Sequence, residues 1–412
     1  MRKIRLLLMM TALATLCLFS SQEKKEEANI IALIGGTLID GTGAAPVQNT
    51  TVLIEGEKIK AVGPADRVKI PQGAQIINVS GKWILPGFID LHMHLTYPAD
   101  TRQSFTQTDS LATLRALHFM NRYLRSGVTS VRDVGAPVEP MRALNEAARL
   151  RYIDTIRLFS CGNLFTVTGG HGDGMALSRA VDGPWEWRKA VREMFKAGFR
   201  HIKISPTFTL EEVQAAVDEA KTLGMRITSH GGGVSDTEPP SMTRRAVEGG
   251  VQCIEHPPKM GEGTLELMAQ KGVHWVPTIG VYLRQIRVPD FHPILIKRGW
   301  SSTMHENDFK KGKALGILMG IGTDFVAWMQ EYPQLYFVEM KTFVDLGYTP
   351  MEAIVCATKN GAIILGEENR LGTIETGKWA DLQVVNGNPL KSLDVLGQPE
   401  TVMVGGAVHD FK

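Results

Sequence analysis

The chain has 412 residues, of which 43% are hydrophobic and 21% are charged, and its formal net charge is +2. This length allows a large core and more than one folding unit, and the composition is ordinary for a globular protein. The near-neutral charge gives no reason to expect a nucleic-acid partner.

Residues 1–21 have the layout of a secretory signal peptide. A basic start precedes an apolar run from Leu6 to Phe19, which small residues follow. The apolar run is too short for a comfortable transmembrane helix. We therefore expect an exported protein, periplasmic or secreted, with residues 22–29 as a charged linker. Cys17 leaves open a lipid anchor, which would make the protein a membrane-anchored lipoprotein.

The two ends of the mature chain share a sequence pattern typical of β-strands. Residues 30–87 and 368–412 contain short apolar runs broken by Gly, Asn and Pro, which is typical of strands joined by turns. We expect both segments to form one small β-sandwich domain that is discontinuous in sequence.

Residues 88–367 change to apolar β runs that alternate with helical stretches. Eight such runs occur, and this rhythm over this length is typical of a (β/α)8 TIM barrel in the α/β class. A doubly wound open sheet is the alternative, but no G-x-G-x-x-G follows an early strand. The runs are FIDLHMH (88–94), VTSVRDVG (128–135), IRLFSCG (156–162), RHIKIS (200–205), RITSH (226–230), VQCIEH (251–256), VHWVPTIG (273–280) and LMGIGTD (318–324).

The helical stretches carry their own start signals. The spacing of Leu111, Leu114, Leu117, Met120 and Leu124 predicts a helix over 109–124 with these residues on one face. Thr-Leu-Glu-Glu at 209–212 and Thr-Pro-Met-Glu at 349–352 each form a capping box, in which the Thr caps the helix and the Glu reaches back to it.

Titratable side chains finish five of the eight β runs. They are His92 and His94, Lys203, His230, His256 and Asp324. The carboxyl ends of TIM-barrel strands face one shared mouth, where the chemistry of such proteins takes place. We therefore expect these side chains to meet.

His92 and His94 have a simple geometric relation. Side chains two apart on a strand share a face, so both imidazoles point inward while Met93 points outward. Two neutral imidazoles in this arrangement can hold one cation such as Zn²⁺. The alternative is a pair of hydrogen-bonded core histidines.

Seven motifs, in this order, resemble the amidohydrolase superfamily and, more narrowly, its imidazolonepropionase-related, prolidase-like dipeptidase branch. They are LPGFIDLHMHL, SGVTSVRDVG, HIKIS, ITSHGGG, QCIEHPP, GIGTDF and LGTIETGKWADLQVVNGNPL. The resemblance covers nearly the whole chain after the signal. It is more specific for fold and metal chemistry than for substrate.

The resemblance implies a site with two divalent metal ions, for which zinc is the expected metal. His92, His94 and Asp324 would bind the more buried ion, and His230 and His256 the more exposed one. Lys203, carboxylated by CO₂, would bridge the two ions. A hydroxide between the metals would attack the scissile carbonyl, and Asp324 would be the catalytic residue that passes its proton to the leaving nitrogen.

Physical reasoning supports the bridging role of Lys203. Burial lowers the pKa of a lysine, and the neutral amine can react with CO₂ to become an anionic ligand with two oxygens. The alternative is a surface lysine that extends from a strand edge. Ile202 and Ile204 favour a buried strand instead.

Three weaker sequence signals concern residues expected at the mouth of the barrel. His171, in the Gly-rich loop TGGHGD, and Tyr282 are predicted to contact substrate, and Arg284 is a further candidate. The alternative for His171 is a tight turn whose imidazole is only solvated, and the alternative for Tyr282 and Arg284 is that they only cover a loop. Arg132 and Asp133 are expected to form a buried ion pair with each other.

The sequence therefore predicts a metal-dependent amidohydrolase that cleaves a dipeptide, Xaa-Pro or related, or an N-acyl amino acid. A hydrolase of a cyclic amide of the imidazolone type is the first alternative, which the signal peptide and Lys203 disfavour. A non-catalytic barrel relative is the second, and retention of all six ligand positions disfavours it. We expect a small-molecule or dipeptide substrate, no nucleic acid and a homo-oligomer.

Overall fold

The computed structural model describes residues 29–98, 106–233, 239–283, 296–297, 299–326 and 334–411. The predicted signal peptide, Cys17 and Arg284 lie outside these residues, as does nearly all of the predicted linker. Among the helices that are described, none has the length and apolar character needed to span a membrane.

The strands occur in two sets along the chain. The first set comes from the two chain ends: β1 (Ile30–Leu38), β2 (Val47–Glu55), β3 (Lys58–Pro64), β4 (Gln75–Asn78), β5 (Trp83–Pro86), β15 (Leu382–Val385), β16 (Thr401–Val404) and β17 (Ala407–Asp410). The second set lies between them: β6 (Phe88–Met93), β7 (Val128–Asp133), β8 (Arg157–Ser160), β9 (Leu164–Thr166), β10 (Ser178–Ala180), β11 (His201–Ile204), β12 (Arg226–His230), β13 (Cys253–Glu255) and β14 (His274–Val276).

Helices lie between and after the strands of the second set. They are α1 (Asp109–Leu124), α2 (Val138–Arg149), α3 (Pro184–Lys196), α4 (Leu210–Thr222), α5 (Ser241–Gly249), α6 (Thr264–Lys271), α7 (Ile279–Leu283), α8 (Ser302–Ala314), α9 (Gln334–Asp345), α10 (Pro350–Ala357) and α11 (Lys359–Leu365). A 3₁₀ helix covers Leu393–Gly397. The α/β class is confirmed.

Strands from both chain ends join one eight-stranded sheet in the order β17-β16-β15-β5-β1-β2-β3, with β4 also paired to β1. We call it the two-ended sheet. Strands β4 and β5 run parallel to β1, and the other pairs are antiparallel. One side of it buries an apolar cluster that includes Leu33, Val52, Ile84, Leu382 and Met403. The predicted division into two packed layers stays a prediction.

The second set of strands is parallel throughout. It forms a three-stranded sheet, β6-β7-β8, and a six-stranded sheet, β10-β9-β11-β12-β13-β14. The eighth predicted run, residues 318–324, and the following Phe325 contain no named strand, but they hydrogen-bond on both sides: Gly320 N donates to Trp275 O of β14, and His94 N donates to Phe325 O. The segment thus hydrogen-bonds to both β14 and the residue that follows β6.

Helix α1 has the predicted bounds but buries a different face. Leu111 and Leu114 are 48% and 65% exposed, so the face marked by the leucine spacing is not the face that is buried. The buried face instead carries Ala112, Ala116, Phe119, Met120, Tyr123 and Leu124. Phe119 and Tyr123 pack on the ring of Phe325, at centroid distances of 4.8 and 6.0 Å.

Both predicted capping boxes are confirmed. At the start of α4, Thr209 Oγ1 accepts from Glu212 N, and the Glu212 carboxylate accepts from Thr209 N at 2.7 Å. Thr349 and Glu352 repeat the arrangement at the start of α10. These caps satisfy backbone amides that a helix leaves unpaired at its first turn.

Candidate metal centre

The predicted ligands occupy the carboxyl ends of the parallel strands. His92 lies on β6 with His94 just after it, His230 ends β12, and His256 follows β13. Lys203 lies on β11, and Asp324 lies in the segment 318–325. We call these six residues the strand-end cluster.

The inner part of the cluster is compact and buried. Asp324 Oδ1 lies 3.5 Å from His92 Nε2 and 3.7 Å from His94 Nε2. His92, His256 and Asp324 each offer one ligand atom within 4.8 Å of the others. Imidazole nitrogens and a carboxylate at this spacing suit a divalent transition metal such as zinc.

The outer part of the cluster leads toward solvent. The ring centroids of His230 and His256 are 4.6 Å apart, and that of His256 is 4.5 Å from His92. His171 stacks beside His230 at 4.5 Å and is exposed, whereas His92 is 1% exposed. The histidines therefore form a row from the interior to the surface, with His171 at the open end.

Burial keeps His92 neutral. Its pKa lies well below the usual range because desolvation disfavours the imidazolium, and the charges of Lys203 and His94 add to this effect. A neutral imidazole has a nitrogen lone pair to donate to a metal.

Lys203 is 2% exposed, between Ile202 and Ile204, which are both fully buried. Burial lowers the pKa of its ammonium group, and Arg132 lowers it further, whereas Glu255 and Asp324 oppose the shift. The surface-lysine alternative is therefore wrong. Carboxylation of Lys203 stays a prediction, and a lowered pKa favours it because only the neutral amine reacts with CO₂.

Glu255, which the sequence analysis did not single out, hydrogen-bonds to His92 on the side of the ring that faces away from Asp324. This fully buried carboxylate accepts from His92 Nδ1 at 2.7 Å and from Arg132 Nη2 at 2.5 Å, and Thr228 Oγ1 also donates to it. The contact with Nδ1 directs Nε2 of His92 toward Asp324, as carboxylates do behind histidine ligands in metal sites.

The buried ion pair of Arg132 exists, but its partner is Glu255 and not Asp133. Neighbouring residues on a strand point to opposite faces, so Arg132 and Asp133 separate. Asp133 instead accepts from the backbone amides of Leu95 and Gly135, at 2.8 and 3.0 Å. It thereby holds the loop that follows His94.

Asp90 is a second buried carboxyl group that the sequence analysis missed. It accepts from Thr323 Oγ1 at 2.7 Å and Thr323 N at 3.1 Å. Burial raises its pKa to about 7, against the effect of these hydrogen bonds. Thr323 directly precedes Asp324, whose own amide donates to His92 O at 2.8 Å, so this network fixes Asp324. Gly322 permits the approach, because a Cβ there would lie 2.9 Å from His92 Cβ.

Unusual backbone conformations concentrate here. Non-glycine residues with positive φ in the described chain are Asn49, Arg151, His256 (66°), Thr278 (45°) and Asp324 (50°), and the last three belong to or contact the cluster. Such conformations are costly and persist where the surroundings impose them, often at functional sites. The positive φ of His256 also breaks strand alternation, which lets consecutive residues Glu255 and His256 both serve the site.

The two predicted substrate contacts lie at different depths. His171 is exposed beside His230, as a mouth residue should be. Tyr282 on α7 is only 3% exposed, with its ring 6.1 Å from His256 and 5.1 Å from His305. It is therefore part of the inner wall beside the cluster.

Known proteins resemble the chain over most of its length. Ochratoxinase from Aspergillus niger is 26% identical over 92% of this chain and 85% of its own. Imidazolonepropionase from Geobacillus kaustophilus is 23% identical over 88% of this chain and 90% of its own. The crystal structure of a Xaa-Pro dipeptidase with methionine bound in the active site aligns with a TM-score of 0.81 and 27% identity, over 93% of this chain and 100% of that one.

The sequence profile of the amidohydrolase family matches residues 83–408, which include the whole strand-end cluster and part of the two-ended sheet. The relatives named above are enzymes, and the structural neighbours imply a TIM barrel with an additional domain. The chain therefore belongs to the amidohydrolase family and is a hydrolase of carbon–nitrogen bonds.

Proposed function

We propose that this amidohydrolase is a metal-dependent enzyme that cleaves the amide bond of a dipeptide, Xaa-Pro or related, or of an N-acyl amino acid. The observation that carries the proposal is the grouping of buried His92 with His256 and Asp324, whose ligand atoms lie within 4.8 Å of one another, together with buried Lys203, which interacts electrostatically with His92 and Asp324. A buried lysine at this place fits a two-metal site better than a single-metal one.

The donor set fits two divalent ions. His92, His94 and Asp324 would hold one ion, His230 and His256 the other, and carboxylated Lys203 would be shared. Such ions, when bound, supply a Lewis acid and lower the pKa of a coordinated water toward neutrality. We propose zinc because imidazole nitrogens dominate the set.

The chain's own residues would handle substrate and protons. Asp324 is held by its backbone against His92, within reach of both inner imidazoles, and can take a proton and deliver it to the leaving nitrogen. His171, at the open end of the histidine row, can donate a hydrogen bond to the substrate carbonyl. Tyr282 can close the inner wall against a substrate side chain or carboxylate.

The choice of substrate class draws on the relatives. A Xaa-Pro dipeptidase and a prolidase complexed with N-methylphosphonate-L-proline share this fold at 27–28% identity. The cyclic-amide alternative draws on the imidazolonepropionase relatives, which are 23–24% identical. Lys203 favours the linear amide, because the imidazolone branch is not expected to need a bridging lysine.

We further propose that the parallel strands close into a barrel through segment 318–325 and that residues 30–87 and 368–412 form the second domain. Backbone hydrogen bonds from this segment to both β14 and the end of β6 support the closure. Export through the N-terminal signal and assembly into a homo-oligomer belong to the same proposal.

The test combines metal analysis with substrate profiling of the purified full chain. We expect two divalent ions per chain and hydrolysis of some members of a library of dipeptides and N-acyl amino acids. A chelator should abolish the turnover, and added Zn²⁺ should restore it. Turnover that resists the chelator would refute the metal-dependent mechanism, and activity on imidazolone rings alone would favour the alternative.

Lys203→Met gives a sharper version of this test, with Lys196→Met as the matched control. Lys196 is an exposed lysine at the end of α3. Lys203→Met should lower metal content below two ions per chain and reduce turnover strongly. Lys196→Met should behave like the wild type.

A further inference from the structure

A buried carboxyl group outside the strand-end cluster holds the loop after β14. Glu339 on α9 is 2% exposed. Its Oε1 accepts from Ile279 N at 2.9 Å and its Oε2 from Gly280 N at 2.5 Å. These amides begin α7 and directly follow Thr278.

Thr278 in turn contacts a predicted metal ligand. Thr278 Oγ1 lies 2.6 Å from His256 Nδ1, and Trp275 Nε1 donates to the carbonyl of His256. Both Thr278 and His256 have positive φ, 45° and 66°. That conformation is especially unfavourable for a β-branched residue such as threonine, so neighbouring contacts must impose it.

Gly280 makes the approach of Glu339 feasible. A Cβ on this residue would lie 2.8 Å from Glu339 Oε2, closer than real Cβ contacts. The absence of a side chain therefore lets the carboxyl group take both amides at once. A carboxyl group from one helix thus fixes the backbone directly after the unfavourable conformation at Thr278.

We propose that Glu339 is a positioning residue for the metal centre, an inference that rests on the proposed function. Through Ile279 and Gly280 it holds Thr278 where the hydroxyl oxygen accepts the Nδ1 proton of His256. Nε2 of His256 then keeps its lone pair for a metal ion. Hydrogen bonds behind histidine ligands set their tautomer and orientation, and their loss weakens metal binding.

The test is titration of Co²⁺ into the metal-free full chain, followed by the absorption of the bound ion and accompanied by a melting curve. Glu339→Gln should weaken the binding of one of the two Co²⁺ ions about 10- to 100-fold. Thr278→Val should weaken the binding of the same ion to a similar degree. The double variant should be little worse than either single one, because the two residues act in series.

Two controls separate positioning from general stability. Glu212→Gln removes another glutamate that accepts two backbone amides, those of Gly183 and Thr209. It should lower Tm but leave both Co²⁺ affinities unchanged. Thr278→Ser keeps the hydroxyl and should retain most of the affinity that Thr278→Val loses.

Wild-type Co²⁺ affinity in Glu339→Gln, with only a lowered Tm, would overturn the inference. If that variant does not fold, Gly280→Ala replaces it in the test, because the added methyl group would press on the same carboxyl oxygen of Glu339. Gly280→Ala should weaken the binding of the same ion. Unchanged Co²⁺ affinity in this variant would also overturn the inference. A wild-type chain that binds no Co²⁺ would refute the proposed metal centre itself, which distinguishes the two failures.

Discussion

In the two-ended sheet, the buried side chains of the core cluster are apolar, among them Leu33, Ile84 and Leu382. In the strand-end cluster, His92, Lys203 and Asp324 are as deeply buried, at 1–2% exposure. Burial of an apolar side chain stabilises a fold, whereas burial of an ionisable group is costly unless partners compensate it. The comparison indicates that the sheet contributes stability and that the cluster is maintained for its chemistry.

The difference extends to the backbone. The cluster and its neighbours contain His256, Thr278 and Asp324 at positive φ. In the two-ended sheet only Asn49, on β2, has this conformation among described non-glycine residues. Substitutions in the two regions should therefore separate activity from stability.

The largest effect is expected for Asp324→Asn. Loss of a carboxylate that is both ligand and proton carrier should reduce kcat/KM about 100- to 10,000-fold. The change in size is small, so the melting temperature of the metal-free protein should shift little. Comparison of turnover and metal-free melting curves tests this, and activity within threefold of wild type would exclude Asp324 from the chemistry.

Glu255→Leu should affect both stability and metal binding. It leaves Arg132 buried without its ionic partner, which typically costs about 3–5 kcal/mol, and it removes the hydrogen bond that orients His92. Chemical denaturation and Zn²⁺ affinity measure the two effects. The control is Glu248→Leu, which breaks only an exposed ion pair with Arg244 and should change the free energy of unfolding by less than ~0.5 kcal/mol.

Leu33→Ala tests the opposite side of the comparison. This residue is fully buried in β1, and its truncation should lower the free energy of unfolding by about 2–5 kcal/mol. The folded fraction should retain wild-type kcat. Ile76→Ala on β4 of the same sheet is the control, because Ile76 is 49% exposed and should tolerate the change. A loss of kcat in folded Leu33→Ala would contradict the separation of roles.

Metal removal should lower stability less than Glu255→Leu does. A ligand at 100 times its Kd stabilises the folded state by about 2.7 kcal/mol, so a chelator should lower the Tm of the wild type. Leu33→Ala should show the same decrease, whereas Asp324→Ala should show a smaller one. Equal decreases in all three proteins would mean that the chelator acts elsewhere.

Local signals in the sequence predicted much of this structure. Seven of the eight expected β runs contain a named strand, and residues 318–325 form isolated β-bridges at Met319 and Phe325. Both capping boxes formed because their hydrogen bonds lie within four consecutive residues. The spacing of His92 and His94 predicted a shared face, since strand alternation is a local property.

The predictions that failed depended on long-range packing. Helical spacing alone marked Leu111 and Leu114 as part of one apolar face, but the neighbours of α1 pack against its alanine and aromatic face instead. The predicted ion-pair partner of Arg132 was wrong for a similar reason. Glu255 is 123 positions away in sequence and lies next to Arg132 only after folding.

What the sequence determined by itself is the order of strands and helices, their starts, and which side chains stand at the strand ends. These features depend on periodicity and on hydrogen bonds between near neighbours. Only the tertiary structure decided which groups stand behind those side chains: Glu255 behind His92, Thr323 beside Asp90, and Glu339 behind Thr278. Such contacts arise when parallel strands and their helices come together in space, so no short stretch of sequence contains both partners.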